Sequence, residues 1–478
     1  MERILTAEEM IAVDKFNIEN LGIDKEIFIE RAGKAVADEI RKRFKGGRVL
    51  VCVGKGNNGE DGKIAAKYLS EVHGFTVATL NISDGIFKLL DKDFDIIVDC
   101  IFGTGLNREV GGKYKTAIEK INGKKAFVVA CDIPSGLNGT TGEVMGVCVK
   151  ANLTVAIQEL KTGYYLNDGI DNCGTIVVKD IGMSVWGEDY VKKLNKEDVA
   201  SFFPKLKRNV HKGNFGKVGI IGGSKQFSGA PLLSFNALTS LKMGVGYAKL
   251  FVPETLFNSV VGLNPECIIN SFKNNENGQI IFDENALKDV LNLDAISIGM
   301  GMGVSSELYK VIEYLLANYK GTLIIDADAI NTLSAFGLDV LLKKKCNVVL
   351  TPHIGEFARL LQTNSKLIIS DIIALSKAFA LKYNVIILVK NAVSVITDGK
   401  TSFLNITGSS ALAKAGSGDV LAGVVAGIIS KKFDLLESVA AAAYLFGLSG
   451  EFATEKANEY TVTASDVIAS LPNAINSL

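Results

Sequence analysis

The sequence predicts an α/β protein built on two successive open, mostly parallel sheets. Three observations carry this reading. Short apolar, β-branched runs alternate with helix-like stretches along both halves of the chain, the pattern of βαβ units. Glycine is frequent (48 residues) and proline scarce (7 residues), which suits tight strand-to-helix turns and not a disordered chain. At 478 residues, the chain is long enough for more than one core.

In the first half, residues 48–53, 75–80, 95–99, 126–131 and 152–157 read as strands, with a helix at 63–72 between the first two. Continuous β-branched runs bounded by glycine and polar turns are those of buried parallel strands. The alternation pauses over residues 186–210, where Lys192, Lys193, Lys196, Lys205, Lys207 and Arg208 crowd together and Pro204 ends a helix. A solvated linker and a domain boundary are expected there, dividing the chain into domains 1–200 and 201–478. The pattern then restarts, with strands predicted at 217–222, 247–251, 295–299, 322–326, 347–351, 385–390 and 393–397.

Composition removes several classes of function. The 52 basic and 52 acidic side chains leave a formal net charge of +0, which argues against a nucleic-acid binder. None of the 7 cysteines lies in a C-x-x-C pair, and Cys52 and Cys131 sit inside apolar strands. Buried thiols in a reducing, cytoplasmic setting are expected. The N-terminus lacks the apolar core of a signal peptide, and no apolar run reaches membrane-spanning length. With 3 histidines, a multi-histidine metal centre is not expected.

In parallel α/β sheets ligands bind beyond the carboxyl ends of the strands, so the strand-end motifs are the place to look for chemistry. The first half has three. Gly54-Lys55-Gly56-Asn57-Asn58-Gly59-Glu60-Asp61-Gly62 joins a strand to a helix and lets backbone approach a phosphate. Asp99-Cys100-Ile101-Phe102-Gly103-Thr104-Gly105-Leu106 and Asp132-Ile133-Pro134-Ser135-Gly136-Leu137-Asn138 follow two further strands. Oxygen donors without histidine or cysteine suit a hard cation, with Asn58, Asp99 and Ser135 as candidates.

These three motifs closely resemble those of the NAD(P)H-hydrate epimerase family over roughly residues 1–190, including Lys161-Thr162-Gly163 near the end. The resemblance implies a Rossmann-like three-layer sandwich that interconverts the R and S forms of hydrated NADH or NADPH. It implies a potassium ion on Asn58, Asp99 and Ser135. It implies substrate contacts from Asn57, Asn58, Gly59, Glu60 and Asp61, from Gly103, Thr104, Gly105, Leu106, Asn107, Arg108 and Glu109, and from Asp132, whose position makes it the candidate acid/base. Glu60 departs from the family, which has glycine there. A carboxylate in a phosphate-binding loop weakens binding by repulsion unless it turns to solvent.

The most informative motif of the second half is Ala415-Gly416-Ser417-Gly418-Asp419, opening an apolar helix. Small residues leave the first N–H groups bare, and bare N–H groups with the helix dipole make an anion site. Asp419, a carboxylate at that start, makes sense as a base acting beside a bound phosphate. Upstream lie Ser228-Gly229-Ala230-Pro231, Gly299-Met300-Gly301-Met302-Gly303 and Ile325-Asp326-Ala327-Asp328. Thr351-Pro352-His353-Ile354-Gly355-Glu356 follows, with His353 and Glu356 one helical turn apart and able to face one site. Lys390-Asn391-Ala392-Val393-Ser394 can contact a nucleotide.

In this order the motifs resemble the ADP/ATP-dependent NAD(P)H-hydrate dehydratases of the ribokinase-like superfamily, over roughly residues 195–478. The resemblance implies contacts of Ala230, Gly303, His353 and Asp419 with the hydrated nucleotide. It assigns Lys390, Asn391, Ala392, Val393, Ser394 and Gly418 to ADP or ATP. It implies a phosphorylation followed by elimination. Asp419 takes the C6 hydroxyl proton, and the oxygen attacks the terminal phosphoryl group. N–H groups of residues 416–419 and Mg²⁺ stabilise the charge, and loss of phosphate restores NADH or NADPH. Glu356 is a candidate to hold the metal through water. Related proteins form homo-oligomers, a tetramer or larger. Two alternatives stand beside this reading: a ribokinase-like small-molecule kinase with a nucleotide-binding N-terminal domain, and a non-catalytic nucleotide sensor.

Overall fold

The apolar runs of the first half form the inner strands of a six-stranded parallel sheet in the computed structural model, which describes residues 1–187, 189–239 and 243–478. Glu188, inside the expected linker, lies outside the described residues. The chain divides into two compact units, Arg3–Val191 and Lys192–Leu478 together with Met1 and Glu2. Each is described by itself.

The N-terminal unit begins with α1 (Ala7–Lys15) and α2 (Lys25–Arg43). Then come β1 (Gly47–Val53), α3 (Asn57–Ser70), β2 (Phe75–Asn81), β3 (Ile96–Cys100), α4 (Gly112–Asn122), β4 (Phe127–Cys131), β5 (Leu153–Ile157) and β6 (Thr175–Lys179). The strand order is β2-β1-β3-β4-β5-β6, all parallel. Alternate residues of β1 explain the layering. Val49, Val51 and Val53 pack with α2 and α3 residues such as Val36, Ile40, Ala65 and Leu69. Leu50 and Cys52 pack on the other face with Ala117, Ile118 and Ile121 of α4. The result is a three-layer sandwich. The chain leaves β1 for β2 on one side and returns to β3 on the other, so the carboxyl ends of β1 and β3 flank a topological switch point, the preferred ligand position in such sheets.

The C-terminal unit has β7 (Lys217–Ile221), α5 (Gly229–Thr239), β8 (Tyr247–Pro253), β9 (Ile268–Phe272), β10 (Ala295–Ile298), α6 (Ser306–Asn318), β11 (Thr322–Ile325) and α7 (Ala327–Phe336). It continues through β12 (Asn347–Leu350), α8 (Ile354–Leu360), α9 (Ile372–Tyr383), β13 (Ile386–Val389), β14 (Ser394–Thr397), β15 (Ser402–Asn405), α10 (Ser417–Ile429), α11 (Leu435–Lys456) and α12 (Ala464–Asn476). The sheet order is β9-β8-β7-β10-β11-β12-β13-β14-β15. It is parallel through β13 and closes with antiparallel β13–β14 and β14–β15 pairs. Its switch point lies between β7 and β10.

Every residue of α10 from Val420 to Ile429 is buried, because the helix packs against both α5 and α11. Gly423 makes the first contact possible: a β-carbon there would stand 2.0 Å from the Ser234 carbonyl oxygen. Close approach lets the Ser234 hydroxyl donate to the Asp419 carbonyl at 2.7 Å, which fixes the start of α10 beside the start of α5.

Strands β6, β9 and β15 were not predicted. β6 and β9 are sheet edges with few buried positions, and β15 is four residues long with a polar residue at each end. The helix expected at 63–72 starts six residues earlier, at Asn57. The second half of the glycine-rich motif is therefore the first turn of α3, not an open loop.

Two candidate active sites

In the N-terminal unit a cavity of about 810 Å³ opens at the switch point. It is lined by Asn57, Asn58 and Asp61 from the start of α3. Gly103, Thr104, Gly105, Leu106, Asn107 and Arg108 line it after β3, and Asp132 lines it after β4. The remaining expected contacts lie elsewhere. Gly59 is buried with its α-carbon against the Gly54 carbonyl. Glu109 is exposed outside the lining. Glu60 turns away, accepting from Lys63 Nζ at 2.7 Å in an exposed ion pair.

Asp132 is held in a left-handed backbone conformation, φ 64°, uncommon for a residue with a β-carbon. Its neighbours impose this. Tyr164 donates its hydroxyl to the Asp132 carbonyl at 2.7 Å, and Lys161 Nζ donates to Asp132 Oδ1 at 2.5 Å. The Lys161 side chain is 1 % exposed. The lysine was visible in the strand-end Lys161-Thr162-Gly163 motif, but nothing in the sequence tied it to Asp132, 29 positions away. Asp14 of α1 is a second residue that sequence reasoning missed. It lines the same cavity, and burial, with the nearby Asp132 charge, pushes its carboxyl up to about 6. Burial also pushes Asp61 up to about 8, reinforced by Asp132, Asp14 and Glu60 and opposed by Lys25.

Beneath the cavity, Asn58, Asp99 and Ser135 come together. Ser135 donates both its backbone N–H and its hydroxyl to the Asp99 carboxylate, each at 2.7 Å. Asn58 Nδ2 donates to the Phe102 carbonyl at 2.8 Å, and the Ser135 hydroxyl accepts from Phe102 N–H at 2.8 Å. Asp99 is fully buried with no basic partner among the described residues, and burial lifts its carboxyl to about 6 against its three hydrogen bonds. Asn58 Oδ1 is buried and accepts nothing.

In the C-terminal unit the site forms around the start of α10. Gly416 precedes the helix at φ 90°, a conformation that needs glycine. No side chain caps the helix. Ser417 N–H donates to the Lys414 carbonyl, whereas the N–H groups of Gly418 and Asp419 have no partner among the described residues. The expected four-donor cradle is thus narrower than the sequence suggested. Asp419 lies half-buried in the first turn. Burial pushes its carboxyl up to about 7, with the Asp326 and Asp328 charges raising it and Lys390 lowering it.

Lys390 Nζ stands beside Gly418, 3.4 Å from where a β-carbon would lie. It pairs with Asp326 Oδ1 at 2.8 Å, and Thr351 donates to the same oxygen at 2.7 Å. Of the rest of this segment, Asn391 and Ala392 are exposed, Ser394 is half-buried, and Val393 is buried, offering only backbone. Ala230 lies in the first turn of α5 against Gly301, and Gly303 N–H donates to Asp328 at 2.8 Å.

His353 and Glu356 do not both point into the site; they face each other as a capping box on α8. His353 Nδ1 accepts from Gly355 N–H at 2.9 Å and from Glu356 N–H at 3.4 Å, while Glu356 Oε2 accepts from His353 N–H at 2.8 Å. The imidazole is about half exposed, with Nε2 3.6 Å from Glu356 Oε1. Burial of the remainder, with the Lys390 and Arg359 charges, lowers its pKa against the pull of Glu356.

Among the described residues no group of three histidine, cysteine or acidic side chains is arranged to enclose a metal. No helix is long and apolar enough to cross a membrane. All seven cysteines are free thiols, six of them buried.

Comparison with known proteins agrees with this division. A family model described as NAD(P)H-hydrate dehydratase matches residues 218–473. One described as YjeF-related protein N-terminus matches residues 25–88 and 77–163. A bifunctional NAD(P)H-hydrate repair enzyme of Archaeoglobus fulgidus is 33% identical, over 98% of both chains. An ADP/ATP-dependent NAD(P)H-hydrate dehydratase of Bacillus subtilis, crystallised with ATP and Mg²⁺, is 25% identical at a TM-score of 0.51, covering 60% of this chain and 98% of that one. A ribokinase-like superfamily protein of Enterococcus faecalis is 26% identical, with a TM-score of 0.52 over 62% of this chain and 98% of its own.

Proposed function

Since the chain belongs to the bifunctional NAD(P)H-hydrate repair enzymes, we propose that its two sites divide the work, epimerisation falling to residues 1–200 and dehydration to residues 201–478. The kinase and sensor alternatives fall with that membership. The observation that carries the dehydratase assignment is Asp419 under two unpartnered N–H groups, with the Lys390 ammonium at the same helix end. This is a base, an anion hole and a counter-charge within one helical turn.

With hydrated nucleotide and ADP or ATP bound, ionised Asp419 accepts the C6 hydroxyl proton. The freed oxygen takes the terminal phosphoryl group, and Gly418 and Asp419 N–H with Lys390 hold the charge that develops. Phosphate is a much better leaving group than hydroxide. The ring nitrogen's electron pair expels it, and loss of the C5 proton restores the dihydronicotinamide. Mg²⁺ supplies further positive charge at the phosphates. Where bound, the ion would be carried largely by the substrate phosphates, and Glu356, whose Oε1 lies 3.6 Å from His353 Nε2, would hold it through water.

A potassium ion fits the N-terminal unit on two observations. Asn58 Oδ1 is a buried acceptor with no donor, and Asp99 is a buried carboxylate without a basic partner. Asn58, Asp99 and Ser135 would hold the ion, which supplies the charge that Asp99 lacks. A cytoplasmic homo-oligomer completes the proposal.

The test follows reduced-nicotinamide absorbance after mixing the full chain with S-hydrate and ADP or ATP. Recovery that requires the nucleotide is expected; none with either nucleotide overturns the dehydratase reading. Pure R-hydrate given to Asp419→Ala isolates the first site. Inversion no faster than in buffer overturns the epimerase reading.

A further inference from the structure

The N-terminal cavity holds more acid/base machinery than one candidate aspartate. Asp61 is the fifth residue of α3, beyond β1, and Asp132 directly follows β4. Strand β3 lies between β1 and β4. The carboxyls of Asp61 and Asp132 line one cavity, which they reach from the ends of two strands that have β3 between them. Asp14 reaches the same cavity from α1. Among the described residues neither Asp14 nor Asp61 makes a side-chain hydrogen bond or ion pair, whereas Asp132 is tied to Lys161. The two carboxyls therefore differ: Asp132 is locked to an ammonium, whereas Asp61 has no such partner among the described residues.

We propose that Asp61 and Asp132 are the two proton-transfer groups for inversion at C6, with Asp14 a positioning residue in the same cavity. This rests on the reading of the N-terminal unit as the epimerase. In one direction, Asp61 gives its proton to the C6 hydroxyl. The C–O bond breaks, its electron pair leaves with water, and the ring-nitrogen lone pair forms a C6=N1 iminium. Water attacks C6 from the opposite face, the C=N pair returns to nitrogen, and Asp132 takes a proton from the incoming water. The net change is one inverted carbon and one proton moved from Asp61 to Asp132; exchange with solvent water, which takes the proton from Asp132 and returns one to Asp61, resets the pair for the next turnover.

Burial and the Asp132, Asp14 and Glu60 charges hold Asp61 neutral against Lys25. Lys15, Glu19, Lys55 and Arg108 are the other charged groups of the cavity wall.

The experiment uses the full chain and R-hydrate, with S-hydrate dehydration by the same sample as the control for folding. In oxygen-18 water the wild type is expected to gain one label per inversion; retention of the original oxygen overturns the proposal. Its inversion rate is expected to fall as pH rises through about 8. Asp61→Asn should lower kcat by about 100-fold with little change in KM, and abolish that alkaline limb. Asp14→Asn should move the limb to lower pH, because it removes a charge that raises Asp61. An Asp61→Asn enzyme of wild-type rate, or an Asp14→Asn profile that does not move, overturns the assignment. A wild type that does not invert at all instead defeats the underlying epimerase reading.

Discussion

The two sites solve one problem, handling a proton on the same hydrated ring, by opposite means. The C-terminal site is a helix end whose proposed base is the half-buried Asp419, a carboxyl that burial pushes up to about 7. Its cation, Lys390, is anchored to Asp326 and stands beside Gly418, one of the N–H groups proposed to receive phosphate. The N-terminal site is a cavity whose carboxyls differ in environment, Asp132 fastened to buried Lys161 and Asp14 and Asp61 without an ion-pair partner among the described residues. Phosphorylation makes a poor leaving group good, so one base suffices. Inversion without activation must supply acid and base together.

The sharpest way to break this comparison is Asp419→Ala. Dehydration should drop about 1,000-fold while R-to-S conversion is unchanged, both read on one preparation. Lys161→Met comes next. Removing one partner of a buried ion pair costs about 3 kcal/mol or more, so a denaturant titration should show the N-terminal unit weakened, and inversion should be lost while dehydration persists. The pH dependence distinguishes the sites more finely. Asp419 must be ionised to act, so dehydration should rise with pH through about 7. Asp326→Asn removes a charge that raises Asp419 and should move this limb to lower pH. Exchange of potassium for a large organic cation should lower the thermal midpoint of the wild type and leave that of Asn58→Ala unmoved. The smallest effect is expected for Glu60→Gly. Inversion should stay within about twofold, and stability should fall by about 1 kcal/mol from the extra glycine in α3.

How much of this was legible in the sequence differs between the two regions for a physical reason. Strand-end motifs are local, so the loop after β3, Asp132 and the start of α10 could be read from neighbouring residues. The inner strands were equally plain, because burial on both faces leaves continuous apolar runs; the edge strands β6 and β9 lack that signature. Pairings across the fold were not legible. Lys161 with Asp132, Lys390 with Asp326, and Asp14 beside Asp61 join residues far apart in the chain, and no spacing rule encodes them. The glycines of the first motif misled for the same reason. Gly59 reads as a phosphate cradle but serves helix–strand contact at Gly54. Glu60 reads as a repelling charge, but its side chain turns toward Lys63.

The capping box of α8 has one more consequence. Because His353 Nδ1 accepts backbone N–H groups, the neutral imidazole carries its proton on Nε2. The outward edge of the ring is therefore a donor and nothing else. A ligand atom that meets it must be an acceptor, such as a carbonyl, phosphate or ribose oxygen, and an N–H group in that place finds no lone pair. A helix cap thus acts as a filter on ligand polarity, and His353 could become an acceptor there only by unfastening the first turn of α8.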